Sequence, residues 1–189
     1  IKNSVAVSPA ANIWQNKFIK NLNKLKIKLH CVGHNYEPAF PKGKLFVKTT
    51  KKNLVKNIRN KSFDYVNLPY LRDLFLVKRY YNFLKNFNFK KGDIILSYND
   101  SFISNVALRI KNELNIPWIS IVADLKAPNK ASGYIYFNWE YYKKNKNNNA
   151  LHIDGGVNSK SSYLLNKKKI KKKLFYMQEQ LEVMRVFLI

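Results

Sequence analysis

Two short apolar runs, with an amphipathic stretch between them, give the clearest pattern of hydrophobic and polar positions in the chain. Residues 92–99 and residues 116–124 are rich in β-branched side chains, and each run begins at a turn residue and ends at a small polar or acidic one. Strands that are buried on both faces of a parallel sheet have this pattern. Residues 100–114 carry apolar side chains at helical spacing. Together the three segments predict a strand-helix-strand unit.

A second unit of this kind is predicted at the amino terminus. Residues 4–8 have the composition of a strand and residues 9–12 that of a tight turn, while residues 13–25 place large apolar side chains on one helical face. Residues 27–32 are predicted to form the next strand. The turn lacks the G-x-G-x-x-G fingerprint of a dinucleotide site, and we expect neither a cofactor nor a metal site in this chain.

The middle of the chain alternates between loops and regular elements. Residues 34–44 contain two prolines and a glycine and predict a loop, and residues 45–47 predict a short strand. Residues 51–62 are basic and weakly patterned. A strand is predicted over residues 63–68 and a long amphipathic helix over residues 70–87, whose aromatic side chains suit core packing better than stacking on nucleic acid.

The last part of the pattern predicts a loop, a helix and one more strand. The loop follows the second apolar run, and the aromatic-rich residues 134–142 predict the helix. Residues 143–149 are a polar hinge, and residues 150–153 are a short strand that leads into paired glycines, which permit close backbone approach. The order of elements predicts an α/β fold with a Rossmann-like, doubly wound, mainly parallel sheet.

Candidate functional residues lie where the predicted strands end, because ligands of open α/β sheets bind beyond the carboxyl ends of the strands. The first apolar run ends at Asn99 and is followed by Asp100, and the second run ends at Asp124. Two interpretations of Asp124 stay open: its carboxylate accepts a hydrogen bond or a proton from a substrate hydroxyl, or it caps the following turn. His152 lies in the last predicted strand, where a histidine is either a packed side chain or a functional one.

The composition is that of a globular protein. The chain has 189 residues, of which 46% are hydrophobic and 14% aromatic, and this is enough to build a core. No apolar run in the sequence approaches the roughly 18 residues that a membrane-spanning helix needs. The one cysteine, Cys31, excludes an internal disulfide and fits a reducing compartment. We therefore expect a cytoplasmic protein, with peripheral association with the inner face of the membrane as a further expectation.

The formal charge of +24 is typical of proteins that bind nucleic acids or anionic membranes. The lysines are nevertheless scattered through nearly every predicted element and accompanied by many Asn and Ile residues, which favours compositional drift from an A/T-rich genome. The densest group is residues 167–173, in which six lysines surround Ile170, and it fits a solvated linker as well as a binding site. We expect weak, salt-sensitive binding to duplex DNA and no nucleic acid partner.

Four sequence motifs resemble a known family. They are Ser-Pro-Ala followed by Trp-x-x-x-Phe-Ile-x-x-Leu, then Gly-Asp-Ile-Ile-Leu-Ser-Tyr-Asn, Ile-Pro-Trp-Ile-Ser-Ile-Val-Ala-Asp and His-Ile-Asp-Gly-Gly-Val. In this order they resemble the amino-terminal half of a bacterial family-four glycosyltransferase with the GT-B fold, over roughly residues 1–174. Such enzymes have two Rossmann-like domains that face each other across a cleft, the first for the acceptor and the second for the nucleotide-sugar.

The resemblance implies a function: transfer of a hexosyl group from a nucleotide-sugar to a glycan or lipid-linked acceptor in surface polysaccharide synthesis. Residues 1–166 would be the acceptor-side domain. The implied catalytic residue is Asp124, which lies near the position at which many members of the family have a histidine. Residues 9–12 take the place of a family loop that faces the donor phosphates. From the resemblance and the sheet edge, the candidate substrate-binding residues are Pro9, Ala10, Ala11, Asn12, Trp14, Asn99, Asp100, His152, Asp154, Gly155 and Gly156.

The carboxyl-terminal part departs from the family pattern. Residues 167–189 are expected to be a basic linker and the incomplete start of a second domain, with residues 174–176 as its opening strand. Residues 177–189 have no glycine where the family has a glycine-rich loop. We expect at most a short helix there, encoded either in a shifted reading frame or as a genuine alternative terminus. Without the donor domain, the chain is expected to be inactive alone.

Two other classes of function stay open. One is a basic binding module for nucleic acid or an anionic membrane surface, which would have its lysines clustered on one face of the fold. The other is a stand-alone flavodoxin-like or Rossmann-like domain for a different small ligand, which the missing glycine-rich phosphate loop disfavours.

Overall fold

The structure is a computed structural model, which describes residues 9–25, 27–49, 58–98, 101–123, 126–145, 149–153 and 185–188. Within these ranges, residues 9–12, 59, 101 and 185–188 are described by their backbone. The strands predicted at residues 4–8 and 174–176 lie outside the described residues.

Four helices and nine strands make up the described part of the chain. The helices are α1 (Pro9–Lys24), α2 (Leu71–Lys85), α3 (Ser101–Leu114) and α4 (Trp139–Asn145). The strands are β1 (Lys28–His34), β2 (Phe46–Val47), β3 (Arg59–Phe63), β4 (Tyr65–Val66), β5 (Ile94–Tyr98), β6 (Trp118–Val122), β7 (Gly133–Tyr136), β8 (Ala150–His152) and β9 (Arg185–Leu188). Seven strands form one sheet in the order β3-β1-β9-β5-β6-β7-β8, with parallel pairing between all neighbours. β2 and β4 form a separate antiparallel pair, and the fold is α/β.

The strand-helix-strand unit predicted from the two apolar runs lies inside the sheet. β5 pairs with β9 and β6, and β6 pairs with β5 and β7, so neither strand is at an edge. Ile95, Trp118 and Ile121 are fully buried. The prediction that these continuous apolar runs are interior strands is confirmed.

Helices pack against both faces of the sheet, because successive side chains of a strand point to opposite faces. Ile95 of β5 packs in one core with residues of α2 and α3, including Leu84 and Ile110. Its neighbour Leu96 packs in a second core with Ile19 of α1. The sheet therefore lies between α1 on one side and α2 with α3 on the other.

The tight turn predicted at residues 9–12 is wrong, because these residues form the first turn of α1. The N–H groups of a first helical turn have no intrahelical partner, so Pro9 loses nothing by lacking one. Two alanines follow, and alanine has the highest helix propensity. The remaining part of the prediction, a helix over residues 13–25, is confirmed to within one residue.

The helix predicted over residues 134–142 is wrong in its first half. Gly133–Tyr136 forms β7, which pairs with β6, and aromatic residues are common in strands. The side-chain oxygen of Asn138 then accepts hydrogen bonds from two backbone N–H groups of α4, at 2.8 and 3.2 Å. This cap fixes the start of the helix after the strand.

Two further predictions near this point have mixed outcomes. α4 extends to Asn145, so the predicted polar hinge at residues 143–149 is helical over its first three residues. The strand predicted over residues 150–153 is confirmed as β8, which pairs with β7 at the edge of the sheet.

The weakly patterned residues 51–62 contain the beginning of a strand that the pattern does not predict. β3 pairs with β1 at the other edge of the sheet. The strand predicted over residues 63–68 is split, since β3 ends at Phe63 and β4 follows after Asp64. The short strand at residues 45–47 and the helix at residues 70–87 are confirmed as β2 and α2.

Arg185–Leu188 forms β9, which lies between β1 and β5 inside the sheet. The short helix expected within residues 177–189 is therefore wrong for these four residues. Three consecutive apolar residues suit a strand that pairs on both sides. The division of the chain at residue 166 stays a prediction, because residues 154–184 lie outside the described part.

Candidate functional site

Trp14 of α1 lies against the carboxyl ends of two strands. Its ring is 5.6 Å, centroid to centroid, from the ring of Tyr98, the last residue of β5. It is 4.4 Å from the ring of Phe137, which directly follows β7. Phe18, one turn further along α1, stacks on Trp14 at 4.8 Å. We call these four residues the aromatic cluster, and it lies at the edge where ligands of open α/β sheets bind.

The aromatic cluster is half-buried, since all four side chains are intermediate between buried and exposed. Rings in this state stack on the flat apolar face of a ligand, while a few polar groups orient it. The sequence motifs predict Trp14 as a site residue, but they do not identify Tyr98 or Phe137. Tyr98 could have been found from its place at the end of a predicted strand. Phe137 could not, because β7 is predicted as a helix.

Local structure holds Phe137 in the aromatic cluster. The backbone N–H of Phe137 donates to the carbonyl oxygen of Val122 at 3.1 Å, which extends the pairing of β7 with β6 by one residue. Asn138 then caps α4 and turns the chain away from the sheet. The ring of Phe137 is therefore fixed at the point where the chain leaves the sheet.

His152, the last residue of β8, packs against two aromatic rings of α4. The centroid of its imidazole lies 5.0 Å from that of Trp139 and 5.6 Å from that of Tyr142. Trp139 is exposed, and the Nζ atom of Lys143 lies 5.5 Å from the centroid of its ring. These contacts with α4 favour the interpretation of His152 as a packed side chain.

A second histidine, His34, which the pattern assigns to a loop, is the last residue of β1. Its Nδ1 atom lies 2.9 Å from the hydroxyl oxygen of Tyr80, a fully buried side chain of α2. Burial lowers the pKa of His34 to about 4, and the positive charge of Arg72 adds to this effect while Asp73 opposes it. The imidazole is neutral at neutral pH and a weak base, so we expect it to hydrogen-bond rather than to remove a proton from a substrate.

Aromatic rings from three elements surround His34. They belong to Tyr65 of β4 at 5.7 Å, Tyr80 of α2 at 6.0 Å and Phe102 of α3 at 5.8 Å. These elements lie on the face of the sheet that α2 and α3 cover, whereas α1 covers the other face. The carboxyl edge of the sheet therefore carries an aromatic group on each face.

Six predicted site residues lie outside the described part of the chain: Asn99, Asp100, Asp124, Asp154, Gly155 and Gly156. Their described neighbours show which strand ends they follow. Tyr98 ends β5, and the buried Ala123 follows β6 directly. The four residues of the predicted turn, Pro9, Ala10, Ala11 and Asn12, are placed by their backbone in the first turn of α1.

A cavity of about 220 Å³ opens between β1, β3 and α2. Its walls include Phe83 and Phe87 of α2 and His30 and Cys31 of β1, and the ring of His30 lies edge-on to Phe87 at 4.9 Å. Burial raises the pKa of the Cys31 thiol to about 11, so the thiol is protonated and weakly nucleophilic at neutral pH. The lining residues of this cavity differ from those of the aromatic cluster.

The described residues contain neither a metal site nor a membrane-spanning helix. Within these ranges, no group of three or more His, Cys, Asp and Glu side chains is arranged to hold a metal ion. None of the described helices combines the length and the apolar character that crossing a bilayer requires.

Comparisons of the chain with protein-family models, with curated proteins and with solved structures found no match.

Proposed function

We propose that the chain is the acceptor-binding half of a GT-B glycosyltransferase, in which a Rossmann-like, doubly wound domain holds a glycan or lipid-linked acceptor. The observation that carries the proposal is the position of Trp14 against Tyr98 and Phe137 at the carboxyl edge of a parallel sheet. The two hydrophobic cores place helices on both faces of the sheet, and this supports the doubly wound fold that the proposal includes.

The aromatic cluster suits a carbohydrate ligand. A pyranose ring has a face of C–H groups that lies against an aromatic ring, and its hydroxyl groups point outward from the rim, where polar groups reach them. Small-molecule sites in general combine aromatic walls with a few polar groups that set the orientation. Half-buried rings from α1, β5 and the end of β7 supply the wall. We assign the polar groups to the residues that follow β5 and β6 in the sequence, Asn99, Asp100 and Asp124.

Asp124 is the residue to which we assign the proton transfer, and its alternative role is a turn cap. It directly follows Ala123 at the carboxyl end of β6, the strand beside β5. The oxygen of the acceptor hydroxyl forms a bond to the anomeric carbon of the donor sugar, and its proton moves to the carboxylate. The bond between the anomeric carbon and the nucleotide phosphate breaks, and its electron pair stays on the phosphate oxygen.

The nucleotide-sugar donor would meet the start of α1. Backbone N–H groups in the first turn of a helix lack intrahelical partners and attract anions, and residues 10–12 provide such groups after Pro9. We assign the remaining donor contacts to a second domain of the full-length protein. The single cysteine, Cys31, supports a cytoplasmic location for this reaction.

Saturation-transfer NMR with a panel of mono- and oligosaccharides tests the proposal on the purified chain. We expect at least one saccharide to receive magnetisation through its ring C–H groups. Trp14→Leu should weaken its affinity about tenfold, which corresponds to about 1.4 kcal/mol for a lost stacking contact. Tyr36→Leu is the matched control, because Tyr36 is an exposed aromatic residue outside the aromatic cluster.

Thermal unfolding of both variants verifies that they are folded before affinities are compared. Affinity that is unchanged in Trp14→Leu, or a panel in which no saccharide receives magnetisation, would contradict the proposal. A loss of equal size in Tyr36→Leu would show that the sugar binds elsewhere.

A further inference from the structure

A group of the described residues exposes large apolar side chains of the kind that folded proteins usually bury. They come from the first turns of α2, from the residue that precedes α2, and from β2 with the loop before it. The exposed residues are Phe40, Phe46, Tyr70, Leu71, Leu74 and Phe75, and we call them the α2 surface. Single exposed apolar residues are normal, whereas a group of them marks an interaction site.

Hydrogen bonds hold the two parts of the α2 surface side by side. The side-chain amide of Asn67, which is fully buried, donates to the carbonyl oxygens of Pro38 at 2.6 Å and Lys44 at 3.0 Å. The carbonyl oxygen of Asn67 accepts from the N–H of Phe40 at 3.0 Å. Since Asn67 stands three residues before Tyr70, these bonds place the loop next to the start of α2.

Tyr70 combines an unusual backbone conformation with almost complete exposure. Its φ is 63°, in a region that residues with side chains rarely adopt, and 91% of its surface is exposed. Strained backbone conformations concentrate at functional positions. The neighbouring Leu74, of which 66% is exposed, extends the apolar area onto the helix.

Basic side chains flank this apolar area on the helix. Residues three and four apart lie on one face of a helix, so the face that carries Leu71, Leu74 and Phe75 continues with Lys78 and Arg79. All five side chains are exposed. The outer face of α2 is therefore apolar at its start and basic one turn later.

The loop and β2 repeat this arrangement, because the exposed Lys42 and Lys44 stand between Phe40 and Phe46. Over residues 34–49 and 64–79 together, six side chains are basic and three are acidic. Two of the acidic groups have partners nearby: Asp73 accepts from Arg72 at 3.0 Å, and Asp64 accepts from the side chain and backbone of Thr49. The α2 surface is thus apolar with a positive rim.

We propose that the α2 surface docks on an anionic membrane. Peripheral membrane helices place Leu and aromatic residues in the interface and Lys or Arg beside them, and the basic residues are attracted to anionic lipid headgroups. Protein-protein interfaces are depleted in lysine. Single-stranded nucleic acids are bound through aromatic stacking and phosphate contacts, to which aliphatic residues such as Leu71 and Leu74 add little.

Sedimentation with vesicles tests this proposal, and it does not depend on the proposed sugar binding. The full chain is mixed with vesicles of phosphatidylcholine, with or without a third of phosphatidylglycerol. We expect strong binding only when the anionic lipid is present. The double variant Leu71→Ser/Leu74→Ser should lower the partition coefficient about tenfold, and Lys78→Gln/Arg79→Gln should lower it by a similar factor on the anionic vesicles.

Matched controls use residues of the same kind at other places. Leu25→Ser/Leu151→Ser replaces two exposed leucines, of which Leu25 directly follows α1 and Leu151 lies in β8. Lys143→Gln/Lys144→Gln replaces two exposed lysines of α4. Both should bind within about twofold of the parent chain, since neither pair touches the docking face.

Three results would overturn the proposal. The first is an equal loss of vesicle binding in the controls, which would show that only the overall charge acts. The second is a loss of duplex DNA affinity in the α2 variants with vesicle binding unchanged, which would make the surface a nucleic acid interface. The third is a change of oligomeric state in these variants without vesicles and with vesicle binding retained, which would make it a contact between two copies of the chain.

Discussion

The Nδ1 atom of His34 lies 2.9 Å from the hydroxyl oxygen of Tyr80, and Tyr80 is fully buried. This hydrogen bond connects the carboxyl end of β1 to the middle of α2. A buried polar group that loses its partner costs about 1–3 kcal/mol. The hydrogen bond between His34 and Tyr80 therefore fixes the position of α2 relative to the carboxyl edge of the sheet. The α2 surface lies on this helix, and the proposed sugar site lies at that edge.

Stability should fall as the pH is lowered, because the pKa of His34 is about 4 in the folded chain and about 6.5 in the unfolded one. Between these values the unfolded chain binds a proton that the folded chain does not bind. The free energy of unfolding should thus be highest above about pH 6.5, fall on the order of 3 kcal/mol down to about pH 4, and lose nothing further to this group below that. Urea denaturation at a series of pH values measures the change.

His34→Gln provides the control for this prediction, because glutamine does not titrate. The variant should lose much less stability between about pH 6.5 and about pH 4. An identical pH dependence in the parent chain and the variant would show that another group is responsible.

Tyr80→Phe should destabilise the chain by about 1–3 kcal/mol, since it leaves the Nδ1 atom of His34 without its partner hydroxyl. The control is Tyr70→Phe, at a tyrosine that is almost fully exposed, which should change stability by less than about 0.5 kcal/mol. Chemical denaturation of both variants gives the comparison. Equal effects would mean that the hydrogen bond contributes nothing to stability.

Gly43→Ala should lower the free energy of unfolding by about 2 kcal/mol. A Cβ atom at this position would clash with the carbonyl oxygen of Pro38, which is held by the side chain of Asn67. Gly33→Ala is the matched control, because a Cβ atom at Gly33 would meet no heavy atom of the described residues within 4 Å. Thermal or urea unfolding distinguishes the two, and a Gly43→Ala variant as stable as Gly33→Ala would contradict the described loop geometry.

Deletion of residues 185–189 should destabilise the whole domain by about 3 kcal/mol or more, because each buried polar group that loses its partner costs about 1–3 kcal/mol. β9 pairs with both β1 and β5, so its removal leaves two strand edges with unsatisfied backbone groups inside the sheet. Circular dichroism during urea denaturation measures the loss. A chain that unfolds at the same urea concentration without these residues would show that they are separate from the sheet.

The central strands could be predicted from the sequence because burial on both faces leaves a continuous apolar run, as in Ile94–Tyr98 and Trp118–Val122. β3 could not, because it is an edge strand in which Asn60, Lys61 and Ser62 are exposed and no apolar alternation is present. β9 could not be predicted either, because four residues are too few to show a pattern and the strands that pair with them, β1 and β5, are distant in the sequence.

The contacts within the candidate site could not be predicted from the sequence either. Trp14 is predicted from a motif, and the structure places it at the carboxyl edge of the sheet, where ligands of open α/β sheets bind. Its contacts with Tyr98 and Phe137 depend on tertiary packing between α1 and strands that are far from it in the sequence. No local pattern specifies such a contact.

The indole N–H signals of the three tryptophans test the central claim, that a saccharide binds at the aromatic cluster, most directly. Trp118 is fully buried and its indole N–H donates to the hydroxyl oxygen of Ser97 at 2.8 Å, so its signal is an internal control. Titration of the isotope-labelled chain with a saccharide that binds should shift the Trp14 signal in a saturable way and leave the Trp118 signal in place. A titration in which the Trp14 signal stays fixed while the saccharide binds would contradict the account.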